Sequence, residues 1–325
     1  MLARQNRVYF KSSFVLETPL LLPSFSSKGF PEVRELVKLM SGIITSGILV
    51  SAYDLHYGHI PKTKLTFSEV IFLDSGGYEA RVDYDLSDAY RRPHKSKQWT
   101  RDLYLGEVKK WKSRVPTVVV SFDSPTQYTD LEKQIRRARE LERMRPDLPI
   151  ELLIKPERKE DRIPIDGLIE HVQDLRFFVA VGFTEKELDK STLGRMVKIA
   201  RLRRAMDAAG VSVPIHIFGS LDTVSTPLYF ISGAEIFDGL TWLRFGYHAG
   251  ATVYFQNYGI THDTNYLLLK DVDRAHRMWV NNYYYLEKLR DEMVNFARTG
   301  DFGHFKHIGD RLQEAYRQVE ARAGM

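Results

Sequence analysis

The chain has 325 residues, of which 43% are hydrophobic and 27% are charged, an ordinary composition for a globular protein with a large core. It contains no cysteine, which excludes disulfides, thiolate catalysis and any metal centre ligated by cysteine. Lysine and arginine number 47 against 42 aspartates and glutamates, so the net charge of +5 permits a polyanionic partner without requiring one.

Eight short apolar runs recur along the chain, and a longer amphipathic or charged stretch follows each of them. The runs are Leu20–Pro23, Ile48–Ser51, Val70–Leu73, Thr117–Phe122, Glu151–Ile154, Phe177–Val181, Ile215–Phe218 and Glu235–Phe237. Short continuous apolar strands that alternate with helices are typical of a parallel sheet buried on both faces. Eight such units predict an α/β fold of the closed (β/α)₈ TIM-barrel type rather than an open sheet.

Helix and turn signals lie between and around these runs. A proline in the first turn, an apolar face or a terminal glycine predicts helices over residues 31–37, 131–144 and 189–209, the last ending at Gly210. A short hairpin is predicted at Val8–Phe10 and Phe14–Leu16, and two C-terminal helices at Val272–Ala297 and Phe305–Ala323. Residues 84–99 lack periodicity and predict a long excursion after the third strand. We expect one domain over residues 1–325, with the barrel at about 18–250 and a C-terminal helical extension at about 270–325.

Three aspartates directly follow predicted barrel strands: Asp74, Asp123 and Asp238. In barrels of this type the active site lies at the carboxyl ends of the strands, so the three carboxylates would meet at one mouth. A single strand-end aspartate is as often the cap of the next turn or helix. The convergence of three favours a catalytic site.

Two of these aspartates belong to longer motifs. Asp74 begins the sequence DSGGY, in which Gly76 and Gly77 would let the backbone approach a ligand and Tyr78 offers a ring for stacking a flat base. A tight strand-to-helix turn with a core tyrosine is the alternative. Arg244 follows Asp238 by six residues, and a buried carboxylate needs such a partner to remain ionised as a nucleophile. A surface arginine without a role is the alternative.

Five cations surround Trp99 on the loop predicted after the third strand. They are Arg91, Arg92, Lys95, Lys97 and Arg101. A segment that mixes cations with an aromatic ring suits a sugar–phosphate backbone, and a solvated loop is the alternative.

The order and spacing of these motifs resemble the guanine transglycosylases that insert 7-deazaguanine bases into tRNA, and their relatives that modify DNA. The likeness covers roughly Thr18 to Leu289 and is specific mainly through Asp74–Tyr78 and Phe237–Arg244. Other segments that resemble the family are Glu17–Pro23, Ile48–His56, Phe122-Asp123, Ile217–Gly219 and Asn281–Leu286. The resemblance implies a barrel enzyme that exchanges one base for another on a nucleotide flipped out of its stack.

The roles that the resemblance implies are those of a two-step displacement at the anomeric carbon. Asp238 would expel the resident guanine and form a covalent glycosyl-enzyme, which the incoming base would then resolve with retention of configuration. Asp74 would act as the acid and base, and Asp123 would accept hydrogen bonds from the edge of the base. The rest of the predicted base pocket consists of Tyr78, Gly76, Gly77, Lys155 and Gly219. The predicted nucleic-acid contacts are Arg244, Arg91, Arg92, Lys95 and Lys97.

The chain departs from the family pattern at the metal site. The family normally carries a zinc site of three cysteines and one histidine after the last strand, whereas this chain has no cysteine and retains histidines such as His248, His262 and His276 there. A structural tetrahedral site without thiolates is not expected. We therefore predict no metal and no cofactor.

The base pocket departs from the pattern as well. Glu79 stands in place of the usual glutamine after the aromatic residue, and Leu153–Pro156 replaces a Val-Gln-Gly-Gly stretch that holds the base. Phe177 and Phe178 precede Val179–Gly182 where the family has a Gly-Gly pair. These changes leave the identity of the incoming base open.

The sequence thus predicts a pentosyltransferase that exchanges guanine for a 7-deazaguanine-type base in nucleic acid, with DNA slightly favoured over tRNA because the zinc module and any appended RNA-binding domain are missing. Its partners would be the nucleic acid and a free modified purine base. A catalytically silent subunit that binds nucleic acid or a partner in a transglycosylase complex is an alternative, favoured by Lys155, Phe177 and Phe178. An unrelated barrel hydrolase with two carboxylates would explain the aspartates but not the motif spacings.

The expected environment follows from the apolar runs. None approaches the roughly 20 residues of a membrane span, and the first residues lack the apolar core of a signal peptide. We therefore expect a cytoplasmic protein without a membrane partner. The sequence does not determine the oligomeric state, and a homo- or hetero-oligomer is possible.

Overall fold

The computed structural model describes residues 1–10, 14–30, 32–81, 94–124, 126–159, 161–262 and 268–323. An antiparallel hairpin of β1 (Arg7–Tyr9) and β2 (Val15–Glu17) precedes eight parallel strands that close into a barrel, which confirms the predicted fold class. The barrel strands are β3 (Leu20–Phe25), β4 (Ile48–Ser51), β5 (Ile71–Asp74), β6 (Thr117–Val120), β7 (Ile150–Ile154), β8 (Ala180–Thr184), β9 (Ile215–Phe218) and β10 (Ile236–Gly239). They pair in chain order, and the barrel closes where β10 pairs with β3.

Helices connect the barrel strands and continue after them. Before β10 they are α1 (Val33–Met40), α2 (Ala52–His56), α3 (Gly77–Ala80), α4 (Arg101–Lys110), α5 (Leu131–Met144), α6 (Ile165–Glu170), α7 (Glu185–Leu188), α8 (Thr192–Ala208) and α9 (Ser225–Ile231). After β10 follow α10 (Thr241–Arg244), the hairpin β11 (Phe245–His248) and β12 (Ala251–Tyr254), then α11 (Phe255–His262), α12 (Asp271–Thr299) and α13 (Gly309–Arg322). Short 3₁₀ turns lie at Lys62–Lys64, Val172–Phe177 and Phe302–His304.

Local sequence explains the best-predicted helices. The side chain of Asp130 accepts a hydrogen bond from the Lys133 backbone N–H at 2.7 Å and caps α5, whose buried face repeats every three or four residues. Helix α8 ends just before Gly210, whose φ of 65° reverses the chain as a C-terminal glycine does. The structure places α5 at the predicted residues and α8 within the predicted segment.

The sixth barrel strand begins three residues later than predicted, at Ala180 instead of Phe177. Phe177 closes a 3₁₀ turn, leaves 47% of its surface exposed and packs its ring 3.6 Å from the Arg139 guanidinium. An aromatic pair favours a strand by propensity, but here a cation on α5 covers the first ring and the turn holds it outside the sheet. The α4 helix and the β11–β12 hairpin are also absent from the prediction.

A fully buried asparagine fastens the C-terminal region to the barrel. The Asn282 side chain on α12 donates to the Trp242 carbonyl at 2.6 Å and to the Phe245 carbonyl at 2.7 Å, and it accepts from the Tyr247 N–H at 2.7 Å. The buried amide therefore has partners for both its nitrogen and its oxygen. Helix α12 holds the segment after β10, which carries Arg244, against the barrel. Within the described residues, no helix has the length and apolarity to cross a bilayer.

Candidate functional site

A cavity of about 460 Å³ opens at the carboxyl ends of the barrel strands, a volume typical of a small-molecule site. Asp74 at the end of β5, Asp123 after β6 and Asp238 near the end of β10 all line it, so the structure brings the three predicted carboxylates together. The cavity is also lined by Tyr78, Lys155, Gly219 and Arg244.

Asp238 is the most firmly held of the three carboxylates. Its Oδ2 accepts a hydrogen bond from the Ser24 hydroxyl at 2.7 Å, and its Oδ1 accepts one from the Gly219 N–H at 3.1 Å. Ser24 is itself fixed, because its oxygen accepts the Gly239 N–H at 3.0 Å. Only 6% of Asp238 is exposed. The two donors therefore fix the orientation of the Asp238 carboxylate at the cavity.

A buried histidine stands on the inner side of Asp238. Nε2 of His216 lies 3.3 Å from Asp238 Oδ1, and Nδ1 lies 2.7 Å from Glu151 Oε1. His216 and Glu151 are both fully buried, and the imidazole stacks on Phe218 at 3.9 Å. Burial alone lowers the His216 pKa, but the two carboxylates outweigh it and raise the pKa to about 9. The imidazole is therefore cationic at neutral pH.

Asp74 lies in a different environment from Asp238. Its Oδ2 accepts the Gly76 N–H at 3.0 Å, a turn that Gly76 makes with a φ of 88°. Burial, together with the negative charge of Asp123, raises the Asp74 pKa well above its usual range. Asp74 therefore keeps its proton to a higher pH than an ordinary aspartate and lines the cavity where a ligand could receive it.

Asp123 lies on the wall of the cavity next to the glycine turn. The Ser75 hydroxyl donates to it, and the cations of Arg81 and Lys155 each lie 3.8 Å away. A β-carbon at Gly77 would collide with the Asp123 carboxylate, so only glycine lets the chain pass at that distance. The DSGGY sequence therefore joins two of the predicted carboxylates through close backbone packing.

Lys155 belongs to a network of ion pairs on this wall. Its Nζ pairs with Glu187 and donates to the Thr184 hydroxyl at 2.9 Å. Glu187 also pairs with Arg81 at 3.5 Å. The lysine charge is therefore largely balanced by protein groups, and Lys155 shapes the wall more than it adds a free cation to it.

Tyr78 and Arg244 meet across the cavity mouth. The Arg244 guanidinium donates to the Tyr78 hydroxyl at 3.2 Å, and the Lys28 ammonium lies 4.4 Å above the Tyr78 ring. The Lys28 cation therefore covers one face of the Tyr78 ring. The sequence suggested Arg244 as the ionic partner of Asp238. The structure instead gives that place to His216.

A second pair of buried carboxylates, Glu79 and Asp54, lies at the cavity, and Glu79 lines its wall. Glu79 accepts a hydrogen bond from the Ser26 hydroxyl, and Asp54 accepts the Ser27 N–H at 2.8 Å. Burial, together with the charge of Asp54, raises the Glu79 pKa to about 8, and burial raises the Asp54 pKa to about 6. Glu79 is consequently neutral at neutral pH.

No protein-family model matches the chain, and no curated protein matches it in sequence.

The predicted cationic loop is only partly described. Arg91 and Arg92 lie outside the described residues, whereas Lys95 and Lys97 are exposed. Trp99, which the sequence placed among nucleic-acid-facing cations, is 94% buried and donates its indole N–H to the Ser75 carbonyl at 2.8 Å. Its ring packs under the DSGGY turn, so Trp99 is a core residue. The sequence could not distinguish this role from a nucleic-acid contact, because an aromatic residue flanked by cations suits both.

The described residues contain no group of three or more histidines and carboxylates arranged to hold a metal ion. His248 and His276 belong to the described part of the chain, whereas the His262 side chain does not. The absence of zinc stays a prediction.

Sequence reasoning missed the residues that hold Asp238 from inside the barrel, namely Ser24, Glu151 and His216. Each is a polar residue within a strand whose neighbours are apolar and buried. In a barrel covered on both faces, such an interruption requires a polar partner, and that was the available signal.

Proposed function

We propose that the chain is a nucleobase transglycosylase that exchanges guanine for a 7-deazaguanine-type base in nucleic acid. One observation carries the proposal: Asp238, held by hydrogen bonds from Ser24 and Gly219, shares one cavity with Asp74, whose pKa is raised. Two carboxyl groups in different environments can divide the roles of nucleophile and acid between them. The resemblance of the two motifs that contain them to guanine transglycosylases supports the choice of substrate.

The proposed first step is attack on the sugar. A carboxylate oxygen of Asp238 forms a bond to the anomeric carbon as the bond to guanine breaks, and Asp74 gives its proton to the departing base. In the second step Asp74, now ionised, removes a proton from the incoming base, whose nitrogen attacks the same carbon. The ester bond breaks and Asp238 leaves as a carboxylate, so configuration at the sugar is retained.

The cavity wall supports recognition of a flat base. Tyr78 has one ring face directed away from Lys28, and Asp123 offers acceptor oxygens to a donor edge. Lys95 and Lys97 are exposed residues whose side chains would contact phosphates. DNA is favoured over tRNA as the substrate, because this chain lacks the cysteines of the zinc module that the tRNA enzymes carry.

The test offers labelled guanine with duplex DNA alone or with tRNA alone. We expect the wild-type protein to incorporate the label into one of the two polymers. With Asp238→Asn, which keeps the shape of the side chain but removes the nucleophile, incorporation should fall to the background level. The wild-type protein should also form a denaturant-stable adduct with the polymer. Exchange by Asp238→Asn at near the wild-type rate would refute the assignment.

Two other outcomes identify the alternatives. Release of guanine without incorporation of label would indicate a hydrolase. Binding of nucleic acid without exchange, release or adduct would indicate a silent subunit.

A further inference from the structure

Three ionisable groups form a line across the barrel interior, each contributed by a different strand. Glu151 lies on β7, His216 on β9 and Asp238 on β10, and the imidazole bridges the two carboxylates at 2.7 and 3.3 Å. Nε2 has no hydrogen-bond partner in the described part of the chain, so its contact with Asp238 is an ion pair rather than a directed hydrogen bond. None of the mechanistic steps above uses Glu151 or His216.

The neighbouring strands make room for this line. A β-carbon at Gly182 on β8 would lie 2.6 Å from Glu151 Oε1 and would also collide with the Phe218 ring, so glycine leaves the space that the carboxylate and the ring fill. The other ring against the imidazole is Phe72 of β5, at 5.9 Å and edge-on. The charged groups that face His216 within the described residues are therefore Glu151 from β7 and Asp238 from β10.

We propose that His216, held as an imidazolium by Glu151, is a positioning residue that keeps Asp238 ionised and promotes its release from the glycosyl ester. The role in release rests on the proposed function, whereas the ionic coupling of the two side chains does not. The carboxylate carries a full negative charge in the free enzyme and none in the ester. A cation beside it therefore stabilises the free enzyme more than the covalent intermediate.

The coupling is tested first without catalysis, by nitrogen NMR of the intact protein labelled at histidine, with His216→Gln to assign the signals. Both ring nitrogens of His216 should be protonated at neutral pH and should titrate near pH 9. In Asp238→Asn the titration should move to lower pH, because one of the two carboxylates is gone. A neutral His216 at neutral pH, or the same titration in Asp238→Asn, would overturn the proposal.

The catalytic role is tested by the pH profile of kcat/KM for base exchange in His216→Gln. Without the cation, protonation of Asp238 becomes easier, so the acid limb should move up by about one pH unit, a tenfold loss of rate on that limb. The trapped glycosyl-enzyme should also increase at a fixed guanine concentration. A mere packing defect would lower the rate without moving the limb.

Phe72→Leu is the matched control, because it also alters a contact of His216 but changes no charge. Its acid limb should stay at the wild-type pH. Glu151→Gln provides a second variant. It removes the carboxylate that supports the His216 imidazolium, so the alkaline limb of the kcat/KM profile should move to lower pH. Unchanged limbs in both His216→Gln and Glu151→Gln would overturn the role in catalysis. Absence of exchange by the wild-type protein would refute the proposed function and leave the NMR result to decide the coupling.

Discussion

Replacing Glu79 by glutamine should stabilise the protein in alkaline solution, since Glu79 is 97% buried beside Asp54 and its pKa is raised to about 8. A carboxyl group whose pKa is higher in the folded state binds its proton more tightly there. Its contribution to stability is therefore complete below the ordinary value of 4.5 and is lost as the pH rises through 8. Glutamine has nearly the same shape, can still accept from the Ser26 hydroxyl and does not titrate.

The size of the effect follows from the two pKa values. The interval from 4.5 to about 8 spans 3.5 pH units, and each unit is worth about 1.4 kcal/mol, which gives a ceiling of about 5 kcal/mol. Asp54 titrates in the same field with its pKa at about 6, so part of the change is shared between the two groups. We expect Glu79→Gln to exceed the wild type by about 2 to 4 kcal/mol in the free energy of unfolding above pH 8, and to differ by about 1 kcal/mol or less below pH 5.

The assay is urea denaturation followed by tryptophan fluorescence across this pH range. Glu69→Gln removes a charge from an exposed position and serves as the matched control. The difference between Glu79→Gln and the wild type should grow with pH, while the control variant should show no such growth. A difference that stays constant from acid to alkaline pH would show that Glu79 is not held neutral in the folded protein, and the reasoning from its burial would fail.

Gly77→Ala should destabilise the protein by about 2 kcal/mol or more and lower the rate of base exchange, because its β-carbon would displace the Asp123 carboxylate. A variant with the melting temperature and the exchange rate of the wild type would contradict this packing. Changing Lys95 and Lys97 together to alanine should weaken nucleic-acid binding and reduce the slope of log affinity against log salt by about two, as measured by fluorescence anisotropy, and an unchanged slope would show that neither contacts a phosphate. Elemental analysis of the purified protein should find no stoichiometric zinc, because the chain has no cysteine.

The barrel was predictable because its evidence is local. The runs at β4 and β9 coincide with the predicted strands, since a short apolar segment between polar ones leaves few alternatives in a chain of alternating strands and helices. The start of β8 was not predictable in this way. Phe177 and Phe178 extend the apolar run towards the N-terminus, and only the packing of Phe177 against Arg139 shows that the strand begins later.

Some residues of the candidate site could be predicted from local sequence, and others could not. Asp74, Asp123 and Asp238 could be found because parallel strands deliver their carboxyl ends to one edge, whatever the rest of the chain does. The partners of Asp238 could not be assigned, because strand pairing alone does not tell which inward-facing side chains touch across a barrel. His216 contacts a residue 65 positions earlier and another 22 positions later, and no local pattern reports such a contact.

The described residues on either side of positions 82–93 are both attached to the barrel mouth. The Arg81 carbonyl accepts a hydrogen bond from Lys28 before this stretch, and the His94 ring contacts the Glu79 carbonyl after it. Trp99 donates its indole N–H to the Ser75 carbonyl close by. None of these contacts depends on the residues between positions 82 and 93. Arg81 and His94 therefore give a protein engineer two fixed boundaries between which another peptide can be inserted while the carboxylates of the cavity keep their own contacts.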